Sequence, residues 1–355
     1  MQAVVLVGGM GTRLRPLTHE TPKQMLAIAG VTMLERVVAR LAKFGVDRVV
    51  LSMGYMPDVF LAAFPNNRVA GVEIVYAVEP EPLDTAGGIK FAADYGAIEE
   101  TYLVVNGDVI CDFDVAKLVE SHKRNSGLAT IALVPVEDPS AFGVVPTADD
   151  GRVLAFIEKP PRESAPTNYI NAGIYVLEPD ALASVPVGSR SSIEKVVFPH
   201  LVASGSLYAT QFEGFWIDAG TIDNFYATNM KFLSVLVRSS QGLAEAADVG
   251  LVGGIPAGYN LIDGSLVATT AQISPDVRLI SSVVGPGVVI ESGVLVMHSI
   301  VMATAVISHH SHVMESIVGN EVVIPPETVL DDLCVIADGS DLSAGVSLSG
   351  EKIPK

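Results

Sequence analysis

The sequence predicts an α/β domain built on a mixed, mostly parallel sheet, followed by a parallel β-helix. Two patterns carry that expectation. Before about residue 127, short apolar runs alternate with amphipathic stripes, the mark of βαβ units whose sheet is covered on both faces. Beyond residue 260, three aliphatic series recur every 17 residues, the mark of stacked coils. The 355 residues suffice for two domains, and 49% hydrophobic against 17% charged residues fits a packed chain and not a disordered one.

Residues 3–7 form an apolar first strand that runs into Gly8, Gly9 and Gly11, followed by Thr12, Arg13 and Arg15. Glycine takes backbone angles closed to other residues and lets a polyanion approach the main-chain N–H groups. Arg13 adds a planar fork of donors, and Lys23, just after Pro22, adds a compact second charge. Together they read as a phosphate cradle. It is neither a Walker A loop, which would end in glycine-lysine-serine/threonine, nor a dinucleotide fingerprint, because Leu14 stands where a third glycine belongs. A helix over 32–44 follows on Leu34, Val37, Val38 and Leu41 and is closed by Gly45. Next come a strand over 48–53, a helix over 57–64, a strand over 72–78, a helix over 86–95 and a strand over 101–105. Ligands of such sheets gather beyond the carboxyl ends of the strands. The glycine turn, residues 79–88 and residues 106–108 all fall there, so they can share one cleft.

From 127 to 217 the pattern is richer in strands, at 127–136, 152–157, 169–177, 207–211 and 215–217, with a helix over 192–203. This region is expected to extend the same sheet. A helix over 221–238, with Phe225, Phe232 and Leu236 among its apolar positions, leads into a link over 239–260. The repeat follows. Its series are Ile273, Ile290, Ile307 and Ile324; Ile262, Leu279, Val296, Val313 and Leu330; and Val267, Val284, Val301, Val318 and Val335. Three aliphatic anchors per period make a triangular coil of about four or five turns. In that frame Ile307 and Ser311 point inward, so His309, His310 and His312 point outward as surface residues. So short a coil also disfavours a second active site. The resulting division is 1–238, 239–260 and 261–355.

A net charge of −18, from 22 basic and 40 acidic residues, argues against a nucleic-acid partner. It also makes the cations between Arg13 and Lys23 stand against the prevailing sign, as a local anion site would. No apolar run approaches the roughly 18 residues needed to cross a bilayer, and no basic flank precedes the first strand, so neither membrane nor secretion is expected. Cys111 and Cys334 are expected to be reduced thiols in a cytoplasmic protein.

Residues 8–23 resemble the signature of the sugar-1-phosphate nucleotidylyltransferases, GGxGTRLxPLTxxxPK. Every fixed position is met, by Gly8, Gly9, Gly11, Thr12, Arg13, Leu14, Pro16, Leu17, Thr18, Pro22 and Lys23. The resemblance implies a Rossmann-like nucleotidyltransferase domain followed by a left-handed β-helix. It also implies an NTP triphosphate held by Gly8, Gly9, Arg13 and Lys23, with Leu6, Gly11, Thr12, Asn106 and Gly107 lining the nucleotide. VVNGD and WIDAGT resemble the family's two metal-binding motifs, so Asp108 and Asp218 are expected to hold Mg²⁺. Taken alone, each aspartate could equally be a turn or cap residue. Asp114, nearby, is explained as the cap of a helix starting at Val115. Residues 142–145, 157–160 and 169–173 resemble the sugar-phosphate segments. By that likeness Lys159 neutralises the sugar phosphate, Glu158 and Asn171 hydrogen-bond the ring, and Gly143 lets main chain approach it.

Residues 78–89, VEPEPLDTAGGI, resemble the family's base-recognition loop, with Glu79, Thr85, Ala86 and Gly87 at the nucleotide. Asp84 replaces that loop's usual first glycine, and Gly88 adds a second glycine after Gly87. A carboxylate at Glu79 could accept from both N1–H and the amino group of guanine, whereas uracil or thymine suits an amide. The attacking group is already a phosphate oxygen, so direct displacement at the α-phosphorus needs no nucleophilic side chain. Arg13, Lys23, Asp108, Lys159 and Asp218 are then the expected catalytic set. The expected reaction joins GTP and mannose 1-phosphate, with release of pyrophosphate, in a homo-oligomer. Glucose 1-phosphate with UTP or dTTP, a heptose 1-phosphate, and a non-catalytic regulatory subunit stay open as alternatives.

Overall fold

Gln2–Leu6, with Ala3, Val4 and Val5 fully buried, takes the middle of a sheet. It runs parallel to Arg48–Met53 on one side and to Tyr102–Asn106 on the other, and Val72–Val78 continues the parallel run beyond Arg48–Met53. The computed structural model describes residues 1–355, apart from the side chains of Ala246, Ala247 and Val249. The chain forms two compact units: Met1–Gly9 with Met33–Ile217, and Met10–Thr32 with Asp218–Lys355.

In the first unit the sheet is mixed. Tyr169–Leu177 lies antiparallel to Tyr102–Asn106 and to Ala129–Pro135, which pairs in parallel with Leu207–Gln211. Its register against Ala129–Pro135 shifts between Asn171 and Tyr175, a bulge that re-aims side chains beside the strand ends. Helices cover the sheet. Met33–Lys43 buries Leu34, Val37, Val38 and Leu41, and Asp84–Tyr95 buries a face of small residues that lets it lie close to the strands. Asp114 caps Val115–Asn125 by accepting from the Ala116 N–H, as its sequence position suggests. Phe198 anchors one side of the core, its ring 5.2 Å from those of Phe156 and Tyr175.

Residues 152–157 do not form the expected continuous strand. Thr147 and Val153 make an isolated bridge, and the ladder re-forms out of step as Gly143–Val144 against Ile157–Glu158. Leu154 donates to the Pro146 carbonyl, but Pro146 has no N–H to return, so the ladder breaks there. The helix expected from residue 86 starts at Asp84, and the expected helix over 192–203 begins as a π-turn, Ile193–Val197. The link over 239–260 contains a helix, Ala246–Val252.

In the second unit, Ile222–Ser240 is capped by Thr221, whose hydroxyl accepts from the Asn224 N–H. A tight hairpin, Ala27–Ile28 and Val31–Thr32, is tied to that helix where the Ala29 N–H donates to Asn229 Oδ1 at 2.8 Å. Gly30 at its tip has φ +77 and lies on Tyr259; an added Cβ would come within 2.8 Å of the ring. The parallel β-helix follows with the predicted register. Ile273, Ile290, Ile307 and Ile324 stack, as do Leu279, Val296, Val313 and Leu330. Two anchors need correcting. Ile262 belongs to a strand antiparallel to Ser265–Ala268 and is 45% exposed, so it precedes the coil. Val318 pairs with Ile336, not Val335, because the preceding corner holds an extra residue accommodated by left-handed Asp332 and Leu333. His309, His310 and His312 are exposed, and Ile307 and Ser311 are buried, as expected.

Candidate active site

The first unit brings several expected residues to the carboxyl ends of its parallel strands. Val7 N–H donates to the Ser52 carbonyl and Gly107 N–H to that of Leu6, so Leu6, Gly8 and Gly107 sit on neighbouring strand ends. A Cβ on Gly8 would lie 3.3 Å from the Gly54 nitrogen and 3.6 Å from Glu79 Oε1, a tight fit that glycine avoids. Glu79 is held from two sides: Ser52 Oγ donates to Oε1 at 2.7 Å and Leu83 N–H to Oε2 at 3.0 Å. Gly88 makes room for it, because a Cβ there would stand 2.8 Å from Oε1 and 2.9 Å from Ser52 Oγ. The second glycine of this loop therefore has a steric reason. Ser52, the one polar residue among the buried positions of its strand, was not singled out from sequence.

Thr85, Ala86 and Gly87 are already engaged. The Thr85 hydroxyl donates to Glu194 Oε2 and accepts from the Ile193 N–H, both at 2.8 Å. Ala86 and Gly87 N–H groups donate to the Ser191 carbonyl at 2.8 and 3.1 Å. These three residues dock the start of helix Asp84–Tyr95 against residues 191–194, and that docking holds the loop between Glu79 and the helix. Asp108 lies in the turn between Tyr102–Asn106 and Val109–Cys111 and is only 6% exposed.

One wall of this unit gathers the expected sugar-side residues. Asn171 donates to the Tyr175 hydroxyl at 2.9 Å and accepts from the Gly173 N–H at 3.0 Å. Burial pushes the Tyr175 phenol up, so it stays neutral. A Cβ on Gly173 would collide with Asn106 at 2.6 Å, which packs Asn106 and the Asn171 bulge together. Trp216 Nε1 donates to the Ala172 carbonyl at 2.9 Å, and its ring meets Phe142 edge to face. Gly143 pairs with Glu158, and Lys159 N–H donates to the Phe142 carbonyl. Lys159 holds a left-handed backbone with its ammonium 3.3 Å from Glu158 Oε1, and its side chain is exposed. Gly143, Glu158 and Lys159 thus form one patch.

The second unit carries Gly11, Thr12, Arg13, Lys23 and Asp218. Gly11 has φ +62, and a Cβ there would press on Thr18 at 3.0 Å and on Lys23 Cβ at 3.2 Å. The Thr18 hydroxyl donates to the Gly11 carbonyl at 2.8 Å and closes the loop, which fully buried Leu14 and Leu17 anchor from beneath. Arg13 is exposed and donates to Asp218 Oδ2 at 2.9 Å. Asp218 Oδ1 accepts from the Gly220 N–H at 2.8 Å, and the Asn224 amide donates to the Asp218 carbonyl at 2.7 Å. A cation, an acid and the start of a helix are therefore fixed together. Among the described residues no group of three or more His, Cys, Asp or Glu could hold a metal alone. Carboxylates in ones and twos suit a divalent ion whose other ligands are substrate phosphate oxygens and water. Asp218 retains lone pairs on both oxygens for such a role.

Comparison with known proteins shows the family. The Nucleotidyl transferase family model matches residues 2–235, and the GMPPB C-terminal domain model matches residues 261–354. The chain is 40% identical over 304 residues to a mannose-1-phosphate guanylyltransferase of Mycobacterium tuberculosis, covering 83% of each. It is 39% identical over 269 residues to the mannose-1-phosphate guanylyltransferase catalytic subunit beta of Dictyostelium discoideum, covering 75% of this chain and 72% of that one. Among solved structures, HddC from Yersinia pseudotuberculosis, alone and complexed with GMP-PN, aligns with a TM-score of 0.57 at 30% identity. That alignment covers 65% of this chain and 99% of HddC. The signature at residues 8–23, the strand-end site and these matches agree: the chain belongs to the nucleotidyl transferase family.

Proposed function

We propose that the chain joins GTP and mannose 1-phosphate into GDP-mannose and pyrophosphate. The observation that carries this reading is a similarity that spans most of the chain, with relatives named as mannose-1-phosphate guanylyltransferases and a coil matching the GMPPB C-terminal domain. The guanine nucleotide in the HddC complex and the doubly held carboxylate of Glu79 support the choice of base. Residues 1–238 are the catalytic domain, 239–260 the link, and 261–355 the C-terminal domain, whose coil follows the strand Tyr259–Ile262 and is left-handed by the family resemblance.

In this reading Leu6, Gly8, Gly9, Gly11, Thr12, Asn106 and Gly107 line the nucleotide. Glu79 accepts from the guanine edge, held in place by the loop that Thr85, Ala86 and Gly87 dock. Arg13 and Lys23 offset charge on the triphosphate and on the departing pyrophosphate. Lys159 draws in the sugar phosphate, and Glu158, Asn171 and the open backbone at Gly143 hold the sugar. Nucleotidyl transferases of this family generally use a divalent metal. In this reading the ion is Mg²⁺, which Asp108 and Asp218 would hold and which would supply neutralisation of phosphate charge. The protein's own contribution is alignment of a phosphate oxygen with the α-phosphorus. Flat coil faces suit a homo-oligomer, and the two buried free thiols suit the cytoplasm.

A pyrophosphate-release screen tests the reading: the four NTPs and dTTP against mannose, glucose and heptose 1-phosphates, with Mg²⁺. Release is expected from GTP with mannose 1-phosphate above every other pair. Faster release from UTP or dTTP with glucose 1-phosphate would overturn the substrate pair. No release from any pair would point to a regulatory subunit.

A further inference from the structure

The segment that carries Arg13 and Lys23 belongs to the same compact unit as the β-helix, and one carboxylate of the coil bonds to it next to Lys23. Thr21 Oγ1 donates to Asp338 Oδ2 at 3.1 Å, two residues before Lys23. Asp338 is itself fixed within the coil: Oδ1 accepts the Asn320 N–H at 2.8 Å, and Oδ2 accepts the Asn320 amide at 3.1 Å. Asn320 in turn accepts from the Ala303 N–H at 3.2 Å, so the column continues into the preceding turn. Gly319 makes the approach possible, since a Cβ there would stand 2.6 Å from Asp338 Oδ1. Beside this contact Lys355 donates to Glu20 at 2.6 Å, an exposed pair that adds little.

Thr21 is placed to transmit that restraint. Pro22 follows it with φ −56 and is buried, and the short 3₁₀ turn Lys23–Met25 begins at once, with Gln24 buried inside it. Few free torsions separate the Thr21 hydroxyl from the Lys23 backbone. A flexible four-carbon ammonium is useful against a triphosphate only if its stem starts from a fixed point.

We propose that Asp338, through Thr21, is a positioning residue for Lys23, so that the last turns of the coil set nucleotide binding. This rests on the reading of Lys23 as a triphosphate ligand. The test is steady-state kinetics of the full chain with each substrate varied in turn, on Thr21→Val, Thr21→Ser, Asp338→Asn, the Thr21→Val/Asp338→Asn double variant and Lys23→Ala. Thr21→Val and Asp338→Asn should each lower kcat/KM for GTP by about tenfold, with KM for the sugar phosphate unchanged. Thr21→Ser, which keeps the hydroxyl, should restore it, and the double variant should be no worse than either single one. Thr21→Val with unchanged kinetics would overturn the proposal, whatever Asp338→Asn does to the coil. Equal losses toward both substrates would overturn it too. If Lys23→Ala alone kept full activity, the triphosphate role of Lys23 would fail first, and that failure is separable from this one.

Discussion

Gly88 shows how an absent side chain can place a recognition group. In a helix alanine is the better former, by about 1 kcal/mol, so stability alone would favour Gly88→Ala. A Cβ 2.8 Å from Glu79 Oε1 instead predicts displacement of the carboxylate. Gly88→Ala should reduce kcat/KM for GTP by about tenfold and narrow the preference over other NTPs; unchanged selectivity would remove Glu79 from base recognition. Glu178 offers a pH test. Burial pushes its carboxyl up, but hydrogen bonds from His122 and Thr101 outweigh that and leave it below its ordinary value. A depressed carboxylate contributes stability above its unfolded-state pKa, and loses it as pH falls through the lower folded value. The denaturant-midpoint difference between wild type and Glu178→Gln should therefore be largest near neutrality and shrink below about pH 4. A constant difference would contradict it. The signature made Arg13 and Lys23 legible because their spacing lies within one short stretch. Ser52 and Glu194 were not legible, because their partners Glu79 and Thr85 lie 27 and 109 residues away.

Among elements, the coil was the most legible, because its period is written in aliphatic residues that point inward. Its hydrogen-bonded column was not, since serine is ordinary in loops. Ser265, Ser282, Ser299 and Ser316 are fully buried, and each hydroxyl oxygen from Ser265 to Ser299 accepts the N–H of the serine one turn on, at 3.0 to 3.1 Å. The Cys334 carbonyl accepts from Ile317 as the serine carbonyls do in earlier turns, so a buried free thiol stands at the serine's place in this turn. Ser299→Ala strands the buried Ser316 N–H and should cost about 1–3 kcal/mol in denaturant unfolding. Thr328 makes the opposite case: its hydroxyl is buried with no partner. Thr328→Val should change stability by no more than about 1 kcal/mol, toward greater stability. Equal losses in the two variants would refute the column. The extra residue near 332 was hidden because Val335 keeps the 17-residue count while Ile336 takes the inward place. The break near residue 154 was hidden because an apolar run does not reveal which partner lacks an N–H.

At the scale of the molecule, division of the chain was only partly legible. Sequence composition separates a sheet domain from a coil, yet Met10–Thr32 packs with Asp218–Lys355. The contact between Thr21 and Asp338 spans 317 residues, beyond any local pattern. A chain of net charge −18 that concentrates cations in this segment should also respond to its substrate as a whole. GTP with Mg²⁺ at 100 times its Kd should raise unfolding stability by about 2.7 kcal/mol, and Arg13→Ala should lose most of that gain at the same concentration. In the proposed reaction two aspartates far apart in sequence serve one cation. Pyrophosphate release from GTP and mannose 1-phosphate, measured for Asp108→Asn, Asp218→Asn and the double variant, tests it most directly. Release should fall by more than about a hundredfold in each single variant, with little further loss in the double one. Most of the turnover surviving in either single variant would contradict it.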